Sequence, residues 1–209
     1  MTFKKINRDR IIRFLKFSVH LFQVIYEKLT SGDKDYFLPF KYDHIQHYYG
    51  KDCLDIGAGT GRFSLYLQDQ GHTITPIDVV DKAIEEIDLD IFDGQNINKA
   101  DKSFSTSIFM FVLHHTDTQV ELLKEAARVT RDYIIVAEDI VESRLDKMFG
   151  NIHLNTSPWA KGNNSFRSKK EWIELFSKLN LELVEINDIP IHIYPIYPVN
   201  RTIFVLKPI

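Results

Sequence analysis

The chain has 209 residues, of which 44% are hydrophobic, enough to bury one substantial core within a single domain. A formal net charge of −3 gives no global attraction to nucleic acid, so an anionic partner would need a local basic patch. Cys53 is the only cysteine, which excludes a disulfide within the chain and predicts a reducing, cytoplasmic setting. No uncharged run approaches the roughly 18 residues of a membrane span, and no signal-peptide pattern is evident.

A long helix is predicted near the N-terminus, from about Asp9 to Leu29, with Ser31 and Gly32 as its stop signal. Its apolar residues cover more than one face, which favours a lid packed on the domain over an amphipathic surface helix. The alternative is peripheral attachment to anionic lipid. The basic residues that favour this alternative are Lys4, Lys5, Arg8, Arg10, Arg13 and Lys16. A second short helical segment is predicted from Tyr42 to Tyr49.

From residue 51 onward, predicted strands and helices alternate. The strands are expected at Cys53–Ile56, Thr73–Ile77, Leu89–Phe92, Phe104–Val112, Tyr133–Ala137, Leu181–Ile186 and Thr202–Leu206. The helices are expected at Arg62–Gln70, Asp81–Ile87, Gln119–Val129 and Lys169–Leu179, the last with a capping box at Ser168 and Glu171. This alternation indicates an α/β fold with a mostly parallel, doubly wound, Rossmann-like sheet. The last two strands have no helix between them, so we expect them to pair antiparallel.

These elements predict a single domain over residues 1–209. Within it, residues 1–50 would form an N-terminal helical lid, and residues 51–209 would form the Rossmann-like core. The apolar, aromatic, proline-rich segment at 189–198 would serve as a substrate wall, a dimer contact or a packed connection. The sequence does not discriminate between these three roles.

The most informative segment is a glycine-rich turn directly after the first predicted strand of this core. Asp55 is the next-to-last residue of that strand, and glycine recurs at positions 57, 59 and 61. A loop so poor in side chains lets backbone N–H groups approach a ligand, and the following helix N-terminus adds free donors. Asp78 ends the second strand, where acids in doubly wound folds meet ribose hydroxyls. The pattern therefore predicts a nucleotide-like ligand.

The glycine spacing discriminates between candidate ligands. A dinucleotide fingerprint reads G-x-G-x-x-G, whereas here glycine recurs at every second position and Arg62 follows. This lowers the expectation of a nicotinamide or flavin cofactor. A Walker loop is excluded because no Gly-Lys-Ser/Thr follows.

Four motifs in order resemble class I S-adenosylmethionine-dependent methyltransferases, in particular their small-molecule branch. They are Asp55-Ile56-Gly57-Ala58-Gly59-Thr60-Gly61, Ile77-Asp78-Val79, Asp93-Gly94, and the segment from Ser103-Phe104 to Val112-Leu113-His114-His115. The resemblance covers about residue 51 to the C-terminus and implies seven strands with one antiparallel C-terminal strand. Two positions depart from the family pattern: Ser105 replaces an acid, and residues 95–99 replace a proline-containing segment. Neither position carries the cofactor in that pattern.

The resemblance implies a set of residues that bind S-adenosylmethionine. Around its methionine portion they would be Asp55, Gly57, Gly59 and Gly61, with Ala58 in the same loop and Asp55 near the amino group. Asp78 would bind the ribose hydroxyls, and Val79 would pack on the adenine. Asp93 and the backbone at Gly94 would contact the adenine amino group. Phe109 and Met110 would lie close to the sulfonium.

Two histidines, His114 and His115, follow the fourth strand, where loops of a doubly wound fold face the ligand. Methyl transfer needs a base only if the accepting atom carries a proton of high pKa, and histidine can act near neutral pH. We hypothesise that His115, or else His114 or His153, is this base. Glu138 and Asp139 end the fifth strand, but neither ligand spacing nor a His/Cys cluster supports a metal site.

The sequence thus predicts a methyltransferase that moves a methyl group from S-adenosylmethionine to a small-molecule acceptor by in-line displacement. Nucleic-acid substrates are not expected, because no RNA-binding module is visible. Two alternatives stay open: a nicotinamide-dependent oxidoreductase and a non-catalytic S-adenosylmethionine-binding protein. The acceptor, the oligomeric state and the role of the N-terminal helix are not determined at this level.

Overall fold

The computed structural model describes residues 37–84, 87–156, 165–189 and 199–209. Seven strands are found within these ranges: β1 Asp52–Ile56, β2 Thr73–Asp78, β3 Asp90–Ile91, β4 Phe104–Met110, β5 Thr130–Ile140, β6 Leu181–Ile189 and β7 Asn200–Pro208. The α-helices of the same ranges are α1 Phe37–Tyr42, α2 Arg62–Asp69, α3 Gln119–Val129, α4 Arg144–Thr156 and α5 Lys169–Lys178. Short 3₁₀ turns lie at Gln46–Tyr48 and Leu113–His115.

The seven strands form one sheet in the order β3-β2-β1-β4-β5-β7-β6. Strands β1 to β5 pair in parallel, whereas β7 is antiparallel to both of its neighbours, β5 and β6. The predicted doubly wound sheet with one antiparallel C-terminal strand is therefore confirmed. The strand order reverses between β1 and β4, so the loops that follow these two strands meet at the topological switch point, where ligands of such folds bind.

Two hydrophobic clusters cover the two faces of the sheet. One contains Phe109 with Trp172 and Phe176 of α5, and the other contains Ile108 with Leu67 of α2. Successive side chains of a strand point to opposite faces, which is why neighbouring residues of β4 enter different clusters. The helix α5 begins with the predicted capping box, in which Ser168 and Glu171 satisfy each other's backbone N–H groups.

The structure differs from the sequence prediction at three elements. Residues 81–84 and 87, predicted as a helix, are not helical, and the Ile84 N–H donates to the Thr60 carbonyl at 3.0 Å. This hydrogen bond holds the segment against the glycine-rich loop. The segment is therefore not helical, although the spacing of its apolar residues is typical of a helix. The helix predicted over Tyr42–Tyr49 is also wrong, because α1 ends at Tyr42 and a 3₁₀ turn follows. Helix α4 was not predicted.

Several predictions lie outside the described residues. They include the N-terminal helix at 9–29 with its lid or lipid-binding role, the link at 190–198, and the side chain of His153. Within the residues that the structure describes, no helix is both long enough and apolar enough to cross a membrane.

Candidate active site

A cavity of about 600 Å³ lies at the carboxyl ends of β1, β2 and β4, where the strand order reverses. Its walls come from the loops after these strands, from residues 92–95 after β3, and from the start of α3. Many of the residues predicted from the sequence line this one cavity: Gly57, Ala58, Gly59, Asp78, Val79, Asp93, Gly94, Met110 and His115. The fold thus brings together segments that are up to 58 residues apart in the chain.

The glycine-rich loop presents bare backbone to the cavity. Gly57 and Gly59 both have left-handed backbone angles, with φ of +75° and +62°. A Cβ atom at Gly57 would lie 2.6 Å from Cγ1 of Val112, whereas a Cβ atom at Gly59 would meet nothing within 4 Å. Gly57 is therefore required by protein packing, while Gly59 borders open space into which a ligand can come close to the backbone.

Asp78 links the glycine-rich loop to the end of β2. One carboxylate oxygen accepts the N–H of Gly59 at 2.8 Å, and the other accepts the N–H groups of Val79 at 2.6 Å and Val80 at 3.3 Å. A carboxylate offers about four lone-pair sites, so Asp78 retains capacity to accept a ligand hydroxyl. Val79 beside it is 47% exposed and gives the cavity an apolar surface that a flat ring can cover.

Asp93 both organises its own turn and lines the cavity. Its carboxylate accepts the side-chain amide of Asn96 and the backbone N–H groups of Gln95 and Asn96. These hydrogen bonds, led by the Asn96 side chain, hold the pKa of Asp93 below its usual value. A Cβ atom at Gly94 would lie 3.0 Å from Val79, so glycine lets the loops after β2 and β3 approach closely.

Asp55 and Gly61 lie behind the cavity wall and do not line it. Asp55 is buried and accepts the hydroxyl of Ser64 at 2.5 Å. Burial raises the pKa of Asp55 to about 6, although Ser64 and the cation of Lys41 act in the opposite direction. Gly61 is the N-cap of α2 and has φ of +74°, and a Cβ atom there would lie 2.8 Å from Ile87.

Lys41 on α1 was missed by the sequence reasoning. Its ammonium lies 5.5 Å from the ring centroids of Phe63 and Phe111, and Phe111 lines the cavity. Burial lowers the pKa of Lys41 to about 8, against the favourable charge of Asp55. The charges of Lys41 and Asp55 therefore interact, although neither side chain lines the cavity. No local pattern marks Lys41, because its neighbours in space come from distant parts of the chain.

The two histidines after β4 have different surroundings. His114 is buried, its Nδ1 lies 2.6 Å from Glu138, and its ring stacks on Phe166 at 5.0 Å. Burial lowers the pKa of His114, but the charge and hydrogen bond of Glu138 outweigh it, so the net shift is upward. His115 lines the cavity, with its ring 4.1 Å from that of His114. Of these two, His115 is the one that a ligand can contact.

Met110 and Phe109 are separated by the pleat of β4. Met110 lines the cavity, whereas the side chain of Phe109 is fully buried in the hydrophobic cluster that contains Trp172. The alternation of side chains along a strand could have distinguished these two neighbours in the sequence. The acids that end β5 are both paired: Glu138 with His114, and Asp139 with Arg201 at 2.9 Å. The described ranges contain no group of His, Cys, Asp and Glu residues that could hold a metal ion.

A family model described as a methyltransferase domain matches residues 35–186. The chain belongs to this methyltransferase family. It is a class I S-adenosylmethionine-dependent methyltransferase, and its matched range includes the glycine-rich loop, Asp78 and the histidine pair. No curated protein matches the chain closely enough to add a relative.

Solved structures of similar fold agree with this assignment. A S-adenosylmethionine-dependent methyltransferase from Methanosarcina mazei matches 80% of this chain and 98% of its own, with 16% identity and a TM-score of 0.65. The 1,6-didemethyltoxoflavin N1-methyltransferase of Burkholderia thailandensis, solved with S-adenosylhomocysteine, matches 100% and 93%, with 15% identity and a TM-score of 0.64. A Thermotoga maritima methyltransferase, described as a possible histamine N-methyltransferase, matches 88% and 99%, with 20% identity and a TM-score of 0.62. At these identities the likeness concerns the fold.

The cavity of this methyltransferase fits S-adenosylmethionine. The open space at Gly59 accommodates close approach of a ligand to the backbone, and Asp78 offers acceptors for hydroxyl groups. Val79 and Phe92 supply apolar surface beside the polar edge formed by Asp93 and Gly94. These are the complementary groups that an adenosine carrying a charged amino-acid tail requires.

Proposed function

We propose that the methyltransferase transfers a methyl group to a small molecule that enters the cavity beside His115. One observation carries the proposal: His115 and the glycine-rich loop line the same cavity. The volume of about 600 Å³ falls in the range of small-ligand pockets, roughly 300–1,000 Å³. An acceptor bound there would lie between the cofactor loops and the 3₁₀ turn at Leu113–His115.

In this proposal, the loops after β2 and β3 hold the nucleoside of the cofactor. Asp78 accepts hydrogen bonds from the ribose hydroxyls, and Val79 packs on the adenine. Asp93 and the backbone at Gly94 meet the adenine amino group, while the turn of Asp93 stays supported by its own hydrogen bonds. Bound S-adenosylmethionine supplies a methyl group on a positively charged sulfur, which leaves as a neutral thioether.

Asp55 and Lys41 provide opposite charges for the amino-acid end of the cofactor. The carboxylate of Asp55 is suited to the ligand's amino group, and the ammonium of Lys41 is suited to its carboxylate. Neither side chain lines the cavity, so their charges would act on the amino-acid end of the ligand from behind the lining residues, and they also influence each other. Since each is shifted by burial towards its neutral form, each would be stabilised in its charged form by such a ligand.

His115 serves as the general base in this proposal. A ring nitrogen of His115 takes the proton from the acceptor's hydroxyl or amine as the new bond to the methyl carbon forms. General-base help of this kind is typically worth about 10²- to 10⁴-fold in rate. Holding acceptor and donor in line supplies a further part of the acceleration.

Ligand-dependent thermal stability and methyl incorporation test the proposal together. At 100 times its dissociation constant, S-adenosylmethionine or S-adenosylhomocysteine should add about 2.7 kcal/mol of stability, whereas NAD should add none. Labelled methyl groups should then pass from S-adenosylmethionine into the small-molecule fraction of a metabolite extract. Label found only in protein or RNA would contradict a small-molecule acceptor, and stabilisation by NAD would revive the oxidoreductase alternative.

A further inference from the structure

Glu138 at the end of β5 holds the turn that carries His115. Its side chain is completely buried, and its two oxygens bind consecutive residues of the 3₁₀ turn. One oxygen accepts the backbone N–H of Leu113 at 2.7 Å, and the other lies 2.6 Å from Nδ1 of His114. A single carboxylate therefore ties a turn that follows β4 to the neighbouring strand β5.

A second set of hydrogen bonds, centred on the buried side chain of Gln119, holds the same turn. The amide of Gln119 on α3 donates to the carbonyl of Leu113 at 2.9 Å and to that of Ser165 at 2.7 Å. Arg167 donates to the Gln119 side chain at 2.9 Å. Hydrogen bonds to neighbouring elements thus hold Leu113 and His114 in place, and His115 is the residue of this turn that lines the cavity.

This arrangement constrains the direction in which the side chain of His115 projects from the backbone. The N–H and the carbonyl of Leu113 are both bonded to buried side chains, and the next side chain, His114, is bonded to the strand. Rotation of the turn would break several buried hydrogen bonds at once, which is costly in the protein interior. The position of His115 relative to the cavity is therefore determined by the network around its two predecessors.

We propose that Glu138 and His114 are positioning residues, which hold the imidazole of His115 in line with the methyl acceptor. The inference rests on the proposed role of His115. A catalytic group displaced by about 1 Å can lose on the order of 10²-fold in rate. Glu138 and His114 then act on the rate of the chemical step and leave the binding of S-adenosylmethionine to other loops.

Two substitutions of His114 separate this role from simple packing. His114→Asn and His114→Gln both remove the imidazole and its stacking on Phe166. The Asn amide nitrogen can occupy the place of Nδ1 and donate to Glu138, whereas the Gln amide nitrogen lies nearer the place of Nε2. His114→Gln should lower kcat about tenfold or more, and His114→Asn should recover most of that loss. The KM for S-adenosylmethionine should change less than about twofold in both.

Glu138→Gln provides the reciprocal change. Its single carbonyl oxygen can accept from Leu113 or from His114, but its amide nitrogen cannot accept from the other donor. We expect a fall in kcat of at least about tenfold, with the KM for S-adenosylmethionine nearly unchanged. An equal loss of kcat in His114→Asn and His114→Gln would overturn the inference, as would an unchanged kcat in Glu138→Gln.

A measurement on the unmodified enzyme keeps the test decisive if the variants fail to fold. Nitrogen–proton NMR of the histidine rings should show His114 protonated at Nδ1, with slow exchange of that proton. A neutral ring protonated only at Nε2 would contradict the bond to Glu138 and overturn the inference. A wild-type enzyme that methylates no small molecule would instead contradict the proposed function, so the two failures are distinguishable.

Discussion

The carboxylate of Asp78 accepts a hydrogen bond from the backbone N–H of Gly59 at 2.8 Å. This contact joins the acid that ends β2 to the tip of the loop that follows β1. The same carboxylate lines the cavity, where the proposed function assigns it the ribose hydroxyls of the cofactor. Changes at either residue should therefore affect cofactor binding more than they affect the stability of the fold.

Substitution of Asp78 by Asn should weaken S-adenosylmethionine binding by about tenfold or more. The amide nitrogen of Asn cannot accept a hydrogen bond, so one of the acceptors for Gly59, Val79 or the ribose is lost, along with the negative charge. Isothermal titration calorimetry measures the affinity directly. Asp81→Asn is a matched control, because Asp81 is exposed and its carboxylate accepts the backbone N–H of Ala83. Equal affinities for both variants would reject the ribose-binding role of Asp78.

Gly59→Ala and Gly71→Ala should separate backbone strain from ligand contact. Both glycines have positive φ, +62° and +93°, and a Cβ atom at either would meet nothing within 4 Å. Each substitution should lower stability by about 1–2 kcal/mol, because alanine is strained in the left-handed region. Only Gly59→Ala should also weaken S-adenosylmethionine binding. Melting curves with and without ligand compare the two variants. A similar loss of binding in both would contradict a ligand contact at Gly59.

Asp55→Asn should stabilise the protein at neutral pH and weaken cofactor binding. Burial raises the pKa of Asp55 from 3.8 to about 6, so the folded state binds the proton of this carboxyl more tightly than the unfolded state does. This tighter proton binding stabilises the folded state fully below about pH 4. The stabilisation is lost as the pH rises through about 6. Removing the ionisable group should therefore gain about 1–3 kcal/mol at pH 7.5 and little at pH 4.

Urea unfolding between pH 4 and pH 8 tests the effect of Asp55. The control is Asp43→Asn, which removes an acid that is exposed in the folded state. A variant Asp55→Asn that is less stable than the wild type at pH 7.5 would refute the raised pKa.

Lys41 should make cofactor affinity fall at alkaline pH. Its pKa is lowered to about 8, so in the free enzyme the ammonium is charged below that pH and neutral above it. If the charge of the ammonium attracts the ligand's carboxylate, S-adenosylmethionine affinity should decrease above about pH 8. Lys41→Arg should make this decrease smaller, because guanidinium stays protonated and only the ligand's own amino group then loses its charge. Lys41→Met should weaken binding at every pH. An affinity that is constant from pH 7 to 9.5 in the wild type would contradict the role.

His115→Gln should lower kcat by about 10²- to 10⁴-fold with a small change in S-adenosylmethionine affinity, because the proposed role of His115, which lines the cavity, is to take a proton from the acceptor. Steady-state rates at saturating cofactor measure the effect. His47→Gln is the control, since His47 is exposed and lies on the distant 3₁₀ turn at Gln46–Tyr48. His153→Gln tests the other candidate predicted from the sequence. If only His153→Gln loses activity, the base is His153 and the assignment of His115 is wrong.

The mostly parallel sheet, its antiparallel C-terminal pair and most elements could be predicted because they depend on local patterns, whereas the strand order was not predicted. Apolar runs ending in acids or glycines mark the parallel strands, and the Ser168–Glu171 capping box marks the start of α5. The helix predicted at Asp81–Ile87 was wrong for a physical reason. Its apolar spacing matches a helix, but the backbone of Ile84 bonds instead to Thr60 in the glycine-rich loop. Such a contact between distant segments has no local signature.

The residues of the sequence predicted a nucleotide-like ligand, and the resemblance of its four motifs to a known family implied S-adenosylmethionine as the methyl donor. Glycine spacing and the acids after successive strands are local properties, and a parallel sheet necessarily gathers the ends of those strands at one edge. Only the tertiary structure decided which of several neighbouring residues line the cavity. It placed His115 and Met110 in the cavity while burying His114 and Phe109, and it brought Lys41 beside Asp55. Those outcomes depend on how side chains from distant segments pack against one another.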